Sequence, residues 1–177
     1  MAVINTPFRV VDLKPGEIHV AHEPTFITTL LGSCVSVCLF SACDMLGAMS
    51  HSVLPEPRKR TRSADLRYVE CAISRMLDGL RRMGAKPPDI TAKLFGGAEM
   101  FARPGQGAGI ARMVGDSNTG AARAFLELHG VSVVSESVGG QSGRKVIFNT
   151  ATGVALVRRV GPGCNTAAGA AYGESHG

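Results

Sequence analysis

Between Thr25 and Pro55 the chain reads TFITTLLGSCVSVCLFSACDMLGAMSHSVLP. Two apolar runs rich in β-formers flank SACD, residues 41–44, which reads as a turn, and such a run–turn–run folds as a β-hairpin. A turn centred between Ala42 and Cys43 sets Cys34 directly across from His51. Opposed residues in an antiparallel pair have Cβ atoms about 4.5–5.5 Å apart, within reach of a thiol–imidazole contact. A one-residue slip would turn every side chain of one strand to the other face.

Further strands are expected at Ile18–Ala21, Phe26–Leu31, Val35–Phe40 and Gly47–Leu54, then at Thr91–Phe95, Ile110–Val114, Val131–Ser137, Lys145–Asn149 and Val154–Val160. Two segments carry helical spacing instead. From an N-cap at Ser63 to about Met83, the residues Leu66, Val69, Ile73, Met76, Leu77 and Leu80 recur every three or four positions, with Gly84 as a stop. A shorter helix is expected from Thr119 to His129, capped by Asn118 and closed by Gly130. Strands before, between and after two helices point to α/β or α+β layers on a central sheet.

Length and composition narrow the class. A chain of 177 residues with 45% apolar content suits one compact domain and is too apolar for general disorder. Residues 1–160 read as that domain, and the small, polar GPGCNTAAGAAYGESHG from Gly161 onward as a disordered tail. No apolar run reaches the roughly 18–20 residues of a spanning helix. The start, MAVINTPFRVVDLKPGE, lacks the apolar core of a secretory leader. The expectation is a soluble, cytoplasmic protein without membrane insertion. Lys and Arg outnumber Asp and Glu by 19 to 14, with a local excess at Arg58, Lys59, Arg60, Arg62 and Arg67. That run is a solvated loop or a docking site for an acidic protein surface. With 5% aromatics and no RNA-binding signature, nucleic acid is not the expected partner.

Five cysteines, Cys34, Cys38, Cys43, Cys71 and Cys164, do not form a disulfide framework in a chain without a leader. Zinc is disfavoured too. The spacings of Cys34, Cys38, Cys43 and His51 do not match a paired-cysteine knuckle, and Cys34 and Cys38 on one strand lie about 13 Å apart. What remains is a cysteine facing a histidine, the minimum for nucleophilic acyl transfer. The imidazole takes the thiol proton, the thiolate attacks a carbonyl carbon, and the Gly32-Ser33-Cys34 corner can offer N–H groups to the oxyanion. A third group must orient the ring. Thr28, on the preceding run, has a hydroxyl that can accept its N–H, and spacing nominates Thr29 or Ser50 equally.

Five blocks carry a wider resemblance: LGSCVSVCLF at 31–40, GAMSHSVLP at 47–55, AKLFGGAEMF at 92–101, VGDSN at 114–118 and GGQSGRKVIFNTATG at 139–153. In this order they resemble the CheD family, the chemoreceptor glutamine deamidases of bacterial and archaeal chemotaxis, over about residues 10–160. The resemblance implies Cys34 as nucleophile, His51 as base and Thr28, six positions before the cysteine, as the group orienting the histidine. VGDSN departs from the family's usual IGxRN, with Ser117 in the arginine position. A layered α/β sandwich is implied, with a mixed, largely antiparallel sheet and two main helices. So is hydrolysis of selected glutamine side chains on methyl-accepting chemotaxis receptors to glutamate and ammonia, without metal or organic cofactor. A CheC-type phosphatase acting on phosphorylated CheY is the implied partner. The alternative is a regulator of such a phosphatase with little turnover of its own.

Overall fold

The computed structural model describes residues 9–57, 65–99 and 108–161. In chain order these form β1 (Arg9–Asp12), β2 (Glu17–Val20), β3 (Thr25–Leu31), β4 (Val35–Ser41), β5 (Leu46–His51), α1 (Val69–Arg82) and β6 (Ile90–Gly96). Then follow α2 (Ala108–Leu128), β7 (Ser132–Val138), β8 (Gly143–Asn149) and β9 (Ala155–Val160). Two sheets form in place of one central sheet. One has the order β1-β3-β8-β9 and the other β2-β5-β4-β6-β7. Most neighbours pair antiparallel, while β1–β3 and β6–β7 are parallel. The fold is therefore α/β with mixed, mostly antiparallel sheets and two helices, stacked helix layer, five-stranded sheet, four-stranded sheet.

Strand alternation builds this stack. On β4, Val35, Val37 and Leu39 join Val69, Ile73, Met76, Leu77 and Leu80 of α1 in the core under the helices. The intervening Cys38 and Phe40 face the second sheet, where Ile27, Leu31, Met49, Phe95, Val146 and Phe148 close a second core. Phe95 and Phe148 are fully buried there, each worth about 1.5–3 kcal/mol of transfer free energy. A strand pair with apolar residues on both faces is the sequence signature of a middle layer.

Five expectations need correction or fall outside the described residues. Ile110–Val114, expected as a strand, lies inside α2, and Asn118, expected as its N-cap, is fully buried within the helix. Gly115 looks like a break, but α2 passes so close to Gly97 that a Cβ at position 115 would sit 2.5 Å from the Gly97 carbonyl oxygen. Tertiary packing outweighs glycine's poor helix propensity here. The α1 helix begins at Val69 because the Arg67 carbonyl accepts from Val53 and Leu54 N–H, which holds Leu66–Tyr68 out of the helix. Ser63, the basic residues Arg58–Arg62 and the tail from residue 162 onward lie outside the described residues.

Candidate active site

His51 ends β5, and alternation along that strand turns Gly47, Met49 and His51 toward the four-stranded sheet. A Cβ at Gly47 would meet Thr150 and Phe148 of that sheet, so the layers close tightly and leave His51 4% exposed. Facing it from β3 is Thr29, on the inward row with Ile27 and Leu31. Thr29 Oγ1 lies 2.8 Å from His51 Nδ1 and 2.8 Å from the Leu13 carbonyl oxygen. The carbonyl can only accept, so the Thr29 hydroxyl donates to it, and Nδ1 must then carry the hydrogen donated to Oγ1. This relay leaves Nε2 with a free lone pair, the form a general base requires.

Cys34 sits in the bend that leads into β4, half-buried against the inter-sheet core. It packs against the inter-sheet cluster of Cys38, Met49 and Phe95, the side toward which His51 is turned. Its corner is fixed through its carbonyls. Gly97 N–H donates to Cys34 O and Ala98 N–H to Gly32 O, each at 2.8 Å. Gly96 makes this approach feasible: its φ is +108°, and a Cβ there would lie 2.1 Å from the Cys34 oxygen. Asn118 Nδ2 reaches Ser33 O from α2.

The hairpin register differs from the expected one. Ser41 pairs with Leu46 and Cys38 with Met49, and the ladder ends at the Val35–Ser52 bridge. Ser36, not Cys34, therefore stands across from His51, and Cys34 is its diagonal neighbour. The turn is later because Ser41 Oγ donates to Asp44 Oδ2 at 2.7 Å and Met45 takes a left-handed φ of 51°. This makes Ala42–Met45 a four-residue loop. The slip is two residues, so each side chain keeps its face.

Thr28 does not meet His51. It lies on the outward row of β3 with Phe26 and Leu30, and its hydroxyl has no hydrogen-bond partner. Ser50 is turned toward the helices, where its Oγ accepts from Val37 N–H at 3.2 Å. Of the three candidates for orienting the ring, the geometry selects Thr29. The Leu13 carbonyl and Asn118 are parts of the site that sequence reasoning did not nominate. Thr29→Ala is expected to lower turnover roughly 5- to 10-fold, the rate equivalent of one hydroxyl hydrogen bond. Thr28→Ala, with no bond to lose, should stay within about twofold. Steady-state deamidation kinetics of both variants check this; equal losses would refute the assignment.

Burial lowers the His51 pKa from its ordinary 6.5, outweighing the Leu13 carbonyl and the carboxylates of Asp12 and Glu17, which favour the charged ring. Burial also raises the Cys34 thiol, only partly offset by its own N–H. Both shifts favour the thiol and neutral imidazole over an ion pair. Because the folded pKa of His51 is depressed, its contribution to stability is present above pH 6.5 and is lost as pH falls through the folded value. The acid limb of kcat/KM is accordingly expected below pH 6.5, with a flat profile through neutrality, and a pH–rate series measures it. A midpoint above 7 would contradict the neutral relay.

Among the described residues no group of three or more His, Cys, Asp or Glu is placed to hold a metal ion. No described helix is long and apolar enough to cross a membrane.

Taken together, the two-sheet α/β stack places Thr29 and His51 in hydrogen-bond contact, with Cys34 packed against the same inter-sheet core. Residues 53–159 match the family model described as CheD chemotactic sensory transduction. A relative from Geobacter sulfurreducens, "Probable chemoreceptor glutamine deamidase CheD 2", is 41% identical over 84% of this chain and 88% of its own. "Chemoreceptor glutamine deamidase CheD" of Thermotoga maritima is 37% identical over 84% and 90%. "Probable chemoreceptor glutamine deamidase CheD" of Methanococcus maripaludis is 33% identical over 85% and 95%. The chain belongs to the CheD family. The model match begins at residue 53, so Thr29, Cys34 and His51 lie in the stretch before it and Asn118 within it. A crystal structure of a Bacillus licheniformis hypothetical protein, YfiH, overlaps at TM-score 0.42 and 15% identity over 73% of this chain and 59% of that one.

Proposed function

We propose that the chain is a protein-glutamine deamidase acting on chemoreceptors, with Cys34 as nucleophile, His51 as general base and acid, and Thr29 as the residue that positions the ring. The relay from His51 Nδ1 through Thr29 to the Leu13 carbonyl carries this reading, because it presents a basic Nε2 on the face that Cys34 shares. The relatives' names supply the substrate class.

In the first half-reaction, Nε2 takes the Cys34 proton as sulfur bonds to the glutamine amide carbon. The resulting oxyanion is met by corner N–H groups, including that of Cys34. The C–N bond then breaks, the imidazolium protonates the departing nitrogen, and ammonia leaves a thioester on Cys34. In the second, water gives a proton to Nε2 and attacks the thioester. Sulfur departs, recovers a proton, and glutamate remains. The product carboxylate changes receptor charge and can serve as a methylation site. A CheC-type phosphatase as partner belongs to the same proposal and rests on family membership alone.

Incubation with a purified chemoreceptor cytoplasmic fragment, followed by peptide mass analysis, tests the proposal. Conversion of glutamine to glutamate at defined positions is expected. No conversion on any receptor of the same cell would reject it.

A further inference from the structure

Asn118 has no place in the chemistry above, yet it is fully buried and reaches both strands of the site. Its Nδ2 donates to Ser33 O at 3.3 Å and to Val53 O at 2.9 Å. Two carbonyl acceptors fix the amide orientation, since only the nitrogen end can face them. Ser33 precedes the nucleophile and Val53 lies two residues past His51. The β4–β5 ladder ends at Val35–Ser52, so Asn118 bridges the open end of the hairpin where backbone pairing has stopped.

All three carbonyls of the Gly32–Cys34 corner are consequently occupied on the side of β6 and α2. Gly97 and Ala98 hold two of them through backbone N–H groups, and Asn118 holds the third through a side chain. Helix packing delivers it: Gly115, Asn118, Thr119 and Ala122 form the buried stripe of α2, and the contact of Gly115 on Gly97 sets the helix against the corner. With the Ser33 carbonyl drawn toward α2, the N–H of the same trans peptide, that of Cys34, points the opposite way, away from the helix.

We infer that Asn118 is a positioning residue for deamidation: it holds the peptide between Ser33 and Cys34 so that the Cys34 N–H points where the oxyanion forms. The inference rests on Cys34 being the nucleophile.

The test uses the full chain, the chemoreceptor fragment, and iodoacetamide as a second electrophile. Alkylation displaces iodide at a tetrahedral carbon and forms no oxyanion, so it needs the thiol but not the aimed N–H. Asn118→Asp keeps the shape and puts an oxygen against two carbonyls; Asn118→Ser removes the bridge with a small polar side chain. In folded protein, kcat is expected to fall about tenfold or more, by misdirection of an oxyanion donor. KM and the alkylation rate of Cys34 should stay within about twofold, since neither ground-state binding nor thiol access uses that donor. Aspartate should be worse than serine, and serine decides the matter if aspartate does not fold. Unchanged kcat in a folded variant would overturn the inference. So would parallel loss of kcat and alkylation, which would mean that the thiol–imidazole pair itself had moved. Full activity in Cys34→Ala would instead reject the nucleophile assignment, a distinct outcome.

Discussion

Replacing Cys34 by alanine is expected to reduce deamidation to background while the fold survives. The side chain is half-buried at the rim of the inter-sheet core, so its loss removes little packing, and the corner is held by its carbonyls rather than by sulfur. Chemistry, in contrast, has no substitute among the described cysteines. Cys38 shares the inter-sheet face, but complete burial drives its thiol far above its ordinary value and holds it protonated. Cys43 is exposed on the β4–β5 loop and Cys71 lies on α1. Cys38→Ser and Cys71→Ser should therefore retain turnover, with only a packing cost at Cys38. Receptor peptide mass analysis alongside circular dichroism separates these outcomes. Normal turnover in folded Cys34→Ala would show the mechanism to be wrong.

The expected direct pairing of Cys34 with His51 is off by two residues, and strand periodicity tolerates such an even error. The SACD turn was placed one residue early, yet the resulting two-residue slip left both side chains on one face. Choosing between Thr28 and Thr29 demanded an odd-number decision. Adjacent threonines point to opposite faces, and a sequence with apolar residues on both rows, Ile27 and Leu31 on one and Phe26 and Leu30 on the other, does not reveal which is inward. Only the second sheet decides it, through Leu13 and His51. The α1 stripe could be read because one face of that helix alone is buried. Much of α2 could not. Its glycines and polar residues fit a tight helix–strand approach that no local pattern encodes, and for this reason Asn118 looked like a cap.

His51→Ala should cost about 100- to 10,000-fold in kcat, the usual contribution of a positioned acid–base group. Three observations favour the upper part of that range. The thiol is raised by burial, so little thiolate exists at neutral pH without a base. The leaving group is ammonia, a poor one unless protonated, and the imidazolium is the acid that the site supplies. Thr29 and the Leu13 carbonyl hold the ring in the one tautomer that leaves Nε2 basic. Removing the ring leaves the Thr29 hydroxyl still donating to Leu13 O, so the variant should fold. The pH profile provides the second reading. Wild type should lose activity only below pH 6.5, whereas residual activity of His51→Ala should climb with pH toward the elevated thiol pKa, because hydroxide must then do what the imidazole did. A residual rate with the wild-type acid limb would mean that another group is the base. His51→Gln offers a further check: its amide can still donate to Thr29 but cannot take a proton, so it should be as inactive as alanine while keeping more of the native stability.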